Sequence, residues 1–599
     1  MARVKYDLLN IRFQKRYKNK GFMMKENTGL DTETLEGYAK LICDSEGNYK
    51  MIESFDDILY FLTRTHFRNK YNWFYNIQFD FESIIKYLDY AQLLELYAER
   101  KIQYDENYSI EYIPKKYFAI KSKSNMNYYF YDLYNFLDTS LNKASKKFLH
   151  DEKLDIVDAK QLNISAKYWK GNEKNIIKYC LKDALLTKNL ADYFWGIIYE
   201  KLNFYPKTPM SKGKLSEEYF LHTCNIPVIN RISDKVVACA YESFYGGHFE
   251  ILKRGYFDKV ITYDIHSAYP FQIAKQIDYS KGTWEKVDKL NPDCHTGFYK
   301  CLINCLETNF SPFKQKIGGS AGLNIYPNGT FKQFLTKEEI EFYGARFENS
   351  DIKIEFGYEF TPKEIIYPFK TEIERLYAWK EKETDADIKY CVKILLNSLY
   401  GKFIQVSGDY NQTGKLFNPI YASKITAGTR IKILDLALQD PENIISFSTD
   451  SVTSMKKLKI PKDSGLGDFG LDFEGEGVLV MSDVYNMWNY DTKKVKTKLR
   501  GFTLATSRDI DAKEVYLKDI LAGMTNNTVY EYFTERPYHL GECITHRLKR
   551  SISDLNKFGK VKKSIDVNGD SKRIWDKSFK NGKECLEEYH SSLPIMIGA

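Results

Sequence analysis

Paired cysteines are the first thing this chain lacks. Its ten cysteines are scattered, with no Cys-x-x-Cys pair and no Cys/His cluster at zinc spacing. They read as reduced, mostly buried small hydrophobes. No apolar run approaches the length that spans a bilayer, so no membrane is expected among the partners. The amino terminus is basic (Arg3, Lys5, Arg12, Lys15, Arg16, Lys18, Lys20), but no apolar stretch follows it, so it does not read as a signal peptide. Internal repeats and low-complexity segments are also missing. These absences leave the expectation of a soluble protein working in the cytoplasm.

What is present is a globular composition, 43% apolar over 599 residues, enough for several domains with their own cores. The formal charge of +8 is modest; it suits a polyanion without proving one. The 47 Tyr and 38 Phe beside 88 Lys and Arg offer stacking faces among cations, as a single-stranded nucleic acid needs. Core packing under a Lys-rich surface accounts for the same composition.

From about residue 26 to 200, β-rich runs alternate with helical patterns, as in an α/β domain. Asp31 and Glu33 are two apart, on one face of a strand. Asp80 follows the aromatic run Trp73-Phe74-Tyr75 and the pair Asn76-Ile77. Tyr179 and Asp183 are four apart, on one face of a helix. Each piece alone is commonplace, since a Tyr-x-x-x-Asp pair is usually helix surface. Together, four acids and a phenol suit two divalent metals about 4 Å apart, one activating water and the other stabilising the leaving oxygen.

A second set follows the Tyr205-Pro206-Lys207-Thr208-Pro209 linker. Lys259–Tyr263 reads as a strand closed by Asp264; taken alone, Asp264 reads equally as a helix cap. Glu364 to Lys382 reads as a helix, with Thr384 or Asp385 capping the next and Lys382 near the tip of the hairpin they form. On that next helix Lys389, Lys393, Asn397 and Tyr400 share a face. Two lysines there suit a triphosphate; Asn397 and Tyr400 suit sugar and base. Ile444–Val452 reads as strand, turn, strand with Asp450 at the turn, so that Asp264 and Asp450 form a two-carboxylate cradle for two Mg²⁺.

In this order, Asp264-x-x-Ser267-x-Tyr269-Pro270, Lys393-x-x-x-Asn397-Ser398-x-Tyr400-Gly401 and Thr449-Asp450-Ser451 resemble the polymerase motifs of family B DNA polymerases. The earlier acids resemble their proofreading exonuclease motifs, and Lys153-Leu154-Asp155-Ile156 a supporting element. Phe244-Tyr245-Gly246-Gly247 looks like the linker motif of the protein-primed branch found in viruses and linear plasmids. The exonuclease motifs begin near residue 30, where larger cellular members place a whole domain first.

The resemblance implies an α/β and α+β multidomain fold, an RNase H-like exonuclease domain followed by a right-hand (palm, fingers, thumb) polymerase domain. The expected division is a basic lead-in over 1–25, exonuclease over 26–205, linker and palm start over 206–260, first palm motif over 261–275, an insertion over 276–360 for the priming protein and DNA, fingers over 361–403, palm over 404–498, and thumb and carboxyl-terminal region over 499–599. It implies two Mg²⁺ per active site, with Mn²⁺ as a substitute, held by Asp264, Ile265 and Asp450 and by Asp31, Glu33, Asp80 and Asp183. Tyr179 orients the attacking water and Lys153 supports the exonuclease site. Tyr269, Lys382, Lys389, Lys393, Asn397 and Tyr400 bind the nucleotide, Tyr269 also excluding a 2′-hydroxyl. Asn76, Phe79, Phe244, Tyr245, Gly246, Gly247, Thr426, Arg430, Lys498 and Arg500 bind DNA. Partners are template and primer DNA, dNTPs and a terminal (priming) protein; the cytoplasm is the host's if the genome is viral.

The pattern is broken in places. Ser448 stands where the family has the first aspartate of its turn, and Phe244 where it has tyrosine. Thr426 and Arg430 are one residue further apart than their motif, and Arg500-Gly501-Phe502 replaces a Lys-x-Tyr element. The Tyr400–Asp450 interval is short for a second, DNA-encircling insertion. Two other readings stay open: a metal-dependent exonuclease whose polymerase-like module only binds nucleic acid, and a primer-independent family B polymerase. A non-enzymatic nucleic-acid scaffold ranks last because it leaves the ordered carboxylates unexplained.

Overall fold

The computed structural model describes residues 4–15, 24–317, 323–407, 411–462, 465–499 and 517–598. Near the amino terminus, an eight-stranded sheet is centred on strand β1 (Asn27–Leu35), which runs parallel to Tyr71–Phe74 and, through it, to Asn127–Asp132. β1 is buried along most of its length, as a central strand covered on both faces should be. Helix α1 (Ile77–Ile85) leaves the sheet from Asn76, whose φ of 69° is the left-handed turn that asparagine tolerates. Helix α2 (Ala166–Leu202) crosses β1 so closely that a β-carbon at Gly29 would lie 2.0 Å from the carbonyl oxygen of Ala184. Only glycine permits that approach, and it carries Asp183 over Asp31.

A nine-stranded sheet forms the middle of the molecule. Its centre is the long strand β2 (Lys253–Ile265), flanked by the hairpin β3 (Ile444–Thr449) and β4 (Ser451–Ser454) on one side and β5 (Phe469–Met481) on the other. Strand β6 (Tyr589–Pro594) returns from the end of the chain to pair with Lys253–Gly255. Above this sheet lie α3 (Ala268–Ala274), the antiparallel pair α4 (Lys370–Lys382) and α5 (Ala386–Ser398), and the buried α6 (Pro419–Ala437). Helix α4 starts at Lys370, not at Glu364: Pro368 lacks an N–H and cannot lie inside a helix, so 363–369 stays irregular. Asp385 caps α5, accepting from the amides of Asp387 and Ile388.

Residues 276–360 build an antiparallel sheet of Gly282–Val287, Ser350–Pro362, Thr296–Cys305 and Asn328–Thr336, which Met596–Ile597 joins as a parallel edge. Between Tyr400 and α6 the described residues hold one short hairpin of two-residue strands, Val406–Ser407 with Gln412–Thr413. The basic lead-in folds back: Gln14 donates to the carbonyl of Phe417 at 2.6 Å, and Tyr241 to that of Val4 at 2.6 Å. Late in the chain, the hairpin Val529–Pro537 with Phe558–Asp566 and the helix Leu540–Ile544 bury Tyr538, Leu540, Cys543 and Leu555 in the amino-terminal core. Weak periodicity there gave no hint of this docking.

Candidate active sites

In the amino-terminal domain the expected carboxylates converge. Asp31 and Glu33 stand on β1; Asp80, on α1, accepts from the Thr32 amide at 3.2 Å and the Thr32 hydroxyl at 2.7 Å. Asp183 comes from α2, where Lys153 forms an ion pair with it and sits 4.7 Å from the centre of the Tyr179 ring. Burial, then the charges of Asp183, Glu33 and Asp80, push the Asp31 carboxyl far up, while Lys153 opposes them. Burial also raises Asp80 to about 7 and lifts Asp183 and the Tyr179 phenol. Burial would lower the Lys153 ammonium, but the Asp183, Tyr179 and Asp31 charges outweigh it and raise the group. So many acids in one low-dielectric site repel one another unless cations join them. Oδ1 of Asp183 is buried with no hydrogen-bond partner, and oxygens of Asp31 and Glu33 lie within 4.8 Å of each other and of the Cys180 sulfur. This donor set fits a hard divalent ion.

Two neighbours of that site went unread in the sequence. Cys180, three residues before Asp183 and so on its helical face, donates to the Asp31 carbonyl at 3.5 Å. Asp132 ends its strand and accepts from the amides of Asn76 at 2.9 Å and Tyr134 at 3.0 Å, fixing the left-handed turn from which Asn76 projects its exposed side chain. Phe79, half-buried beside it, lies 6.0 Å from the ring of Phe558.

The second site lies on the central sheet. Asp264 is a strand residue paired with Ser451 and Gly470, not a cap; α3 follows Ser267, which turns left-handed at φ 51° and makes no side-chain capping bond. The Ile265 amide donates to the Asp450 carbonyl at 3.0 Å, tying the two acidic positions together through main chain. Asp450 follows a strained turn: its amide reaches the Ser448 carbonyl at 2.8 Å across Thr449, a β-branched residue held at φ 66°. Burial raises Asp264 to about 7, helped by the charges of Asp450 and Asp472 and resisted by Lys496 and Lys393; burial also raises Asp450. Asp472 was missed in the sequence. It is the extra residue of a β-bulge in β5, between the partners of Thr262 and Tyr263, and pairs with Lys496.

Asp264 and Asp450 sit where two clefts meet. One, of about 390 Å³, is lined by Ser267, Tyr269, Lys380, Lys393 and Asn397. The other, of about 190 Å³, holds Ser448, Asp472, Asp483 and Lys498, the last paired with Asp483 at 2.6 Å. Tyr269 stacks on Tyr400, ring centres 4.3 Å apart and 24° from parallel. Of the expected lysines, Lys393 lines the first cleft, whereas Lys382 and Lys389 are exposed away from it. Lys380 takes the place given to Lys382, with Nζ 3.3 Å from the Ser267 hydroxyl. Helical phase could have found it, because Lys380 continues the buried stripe of Ile373 and Leu376.

Thr426 and Arg430, expected on DNA, are buried. The Thr426 hydroxyl bonds the Ala422 carbonyl, and the Arg430 guanidinium is held by Glu339 and the carbonyls of Tyr245 and Gly246. Arg430 thus braces the Phe244–Gly247 segment from within. Phe244, Tyr245, Gly246 and Gly247 are half-buried, and a β-carbon at Gly247 would come within 2.8 Å of Thr449 Cγ2. Arg500 lies outside the described residues.

A family model for DNA polymerase type B, organellar and viral, matches residues 63–412. A DNA polymerase of Acidianus bottle-shaped virus (isolate Italy/Pozzuoli) is 31% identical over 283 residues, 44% of this chain and 40% of that protein. A "Probable DNA polymerase" of Neurospora intermedia is 23% identical over 437 residues, 68% of this chain and 41% of that protein. The chain therefore spans about two-fifths of the length of these curated relatives. Among solved structures, Phi29 DNA polymerase complexed with primer-template DNA and incoming nucleotide substrates aligns with a TM-score of 0.62 at 16% identity, covering 91% of this chain and 100% of that one. That likeness establishes the fold, a multidomain α/β and α+β architecture with an exonuclease-type domain ahead of a right-hand polymerase domain. Among the described residues no helix is long and apolar enough to cross a membrane.

Proposed function

The chain belongs to the type B DNA polymerases, organellar and viral, and from that premise we propose that it copies a DNA template from dNTPs and trims mispaired primer ends 3′→5′. The observation that carries this reading is the meeting of Asp264 and Asp450 at the junction of two clefts, one lined by lysines and by Tyr269, which stacks on Tyr400. Lys380 and Lys393 are placed to take a triphosphate. Asn397 and the stacked tyrosines would floor the sugar and base, Tyr269 crowding a 2′-hydroxyl. Asp264 and Asp450 would hold Mg²⁺ here, and Asp31, Glu33, Asp80 and Asp183 in the other site. Bound there, the cation supplies charge neutralisation and an acidified hydroxyl or water. In the trimming site Tyr179 orients the water and Lys153 holds Asp183, while Asn76 and Phe79 grip the frayed end.

Priming from a terminal protein, with a cytoplasmic place of work (the host's for a viral genome), is the finer part of the proposal. It draws on the Phe244–Gly247 motif and on the separate sheet of residues 276–360. Incubation with primer-template, dNTPs and Mg²⁺ should give extension, and with single strands alone, shortening from the 3′ end. Shortening without extension at any Mg²⁺ or Mn²⁺ concentration would leave only the nuclease. Covalent transfer of labelled nucleotide to a candidate priming protein tests the last part; synthesis from DNA primers alone would remove it.

A further inference from the structure

The bulge in β5 serves one side chain. Thr262 and Asp264 are two positions apart on β2, yet their partners Phe473 and Gly470 are three apart on β5, and the unpaired extra residue is Asp472. A bulge interrupts the ladder and re-aims a side chain. Here Asp472 joins Thr262, Asp264, Ser448 and Asp450 in lining the smaller cleft. The Asp264 carboxyl, raised by burial and by the Asp450 charge, feels the Asp472 charge next.

Two lysines hold the bulged residue. Lys494 Nζ bonds the Asp472 carbonyl at 2.7 Å, and Lys496 pairs with Oδ2 of its carboxylate. They stand at the strand Val495–Leu499, two strands away in the sheet. Among the described residues no hydrogen bond is made to Oδ1 of this half-buried side chain. A clasp between strands explains the lysines; it does not explain why the acid shares a cleft with Asp264 and Asp450. The turn itself offers that cleft one acid, with Ser448 where an aspartate was expected. Two carboxylates are a thin supply of hard oxygen for two divalent cations.

We propose that Asp472 is a third carboxylate of the polymerase cation site, standing in for the acid that Ser448 does not supply, and that Lys496 competes with the cation for it. This rests on the polymerase reading above and deepens it. Lys496 keeps the carboxylate in reach and lessens the repulsion among three acids before a cation is bound.

The test is Mn²⁺ binding, read from the magnetic resonance of the free ion, to the full chain carrying Asp31→Ala and Glu33→Ala, which removes two ligands of the other site. Asp472→Asn should weaken binding about tenfold, as loss of a supporting carboxylate does, with a melting temperature near that of the parent. Lys496→Gln should tighten it, because the competing ammonium is gone. Adding Ser448→Asp to Asp472→Asn should return most of the lost affinity. Unchanged Mn²⁺ binding in Asp472→Asn overturns the proposal, and so does a double variant no better than Asp472→Asn alone. Weaker binding in Lys496→Gln also overturns it, since the pair would then be only a clasp between strands. If Asp264→Ala binds Mn²⁺ and extends primer-template like the parent, the polymerase reading of this site fails first.

Discussion

The two carboxylate centres solve one electrostatic problem in opposite ways. In the amino-terminal site four acids are packed together, and a lysine from the same domain is already paired with one of them. Every residue comes from positions 31 to 183, and the Gly29–Ala184 contact fixes the spacing. On the central sheet two acids share an open junction, with Lys380 and Lys393 of α4 and α5 lining one cleft and Lys498 the other. The amino-terminal centre is therefore preassembled, whereas the central one is left to be completed by what enters its clefts. A hydrolytic site needs only water and a strand end. A templated one must wait for a matching substrate, so keeping part of its positive charge on a separate helical pair couples chemistry to occupancy.

The largest effect should come from the acids themselves. Asp264→Ala or Asp450→Ala should cut primer extension by at least about 10³-fold while single-strand shortening persists, and Asp31→Ala with Glu33→Ala should do the reverse. Loss of both activities from either change would break the independence of the two centres. Next, Lys153→Ala should lower shortening by about 10–100-fold, with extension rates unchanged, as for a residue acting through a ligand. A matching loss of extension would mean that the lysine merely holds the domain together.

A smaller effect is read from pH. Asp80 and Asp264 are both raised to about 7. Being raised, each favours the folded state most below its unfolded value near 3.8, and that contribution is lost as pH climbs through 7. Chelated protein should therefore melt progressively lower between pH 5 and 8, and Mg²⁺ should restore more at pH 8 than at pH 5. A melting temperature flat across this range would refute it. Smallest of all, Ser448→Ala should change the extension rate by no more than about threefold, since Asp450 carries the ligand role at that turn. A collapse of extension would give the Ser448 hydroxyl a part in the reaction.

Fold class and the convergence of the acids were legible in the sequence; the docking of distant segments was not. Asp31, Glu33, Asp80 and Asp183 could be read because each sits in a short local pattern, and local pattern is what strand and helix periodicity preserve. Asp264 and Asp450 were legible for the same reason. Lys382 is legible from its position near the hairpin tip, whereas Lys380 shows only in helical phase with Ile373 and Leu376. Thr426 and Arg430 were sent to DNA because a polar residue in a motif looks exposed until Glu339, far off in sequence, is seen to claim the guanidinium. Asp472 was invisible because a bulge is a property of two strands, not of one.

The return of β6 to the central sheet also governs the order of assembly. The Ser592 hydroxyl bonds the Leu252 carbonyl across 340 positions of chain. During synthesis, the sheet that carries Asp264 cannot gain its last strand until nearly the whole chain has been made, whereas the first domain's sheet closes within its first 132 residues. A nascent chain would thus hold a closed amino-terminal sheet while its central sheet still exposes an unpaired edge along Lys253–Gly255, a template for misassociation. Ribosome-held fragments ending before Tyr589 should show this as protease resistance in the amino-terminal third with cleavage in the central sheet.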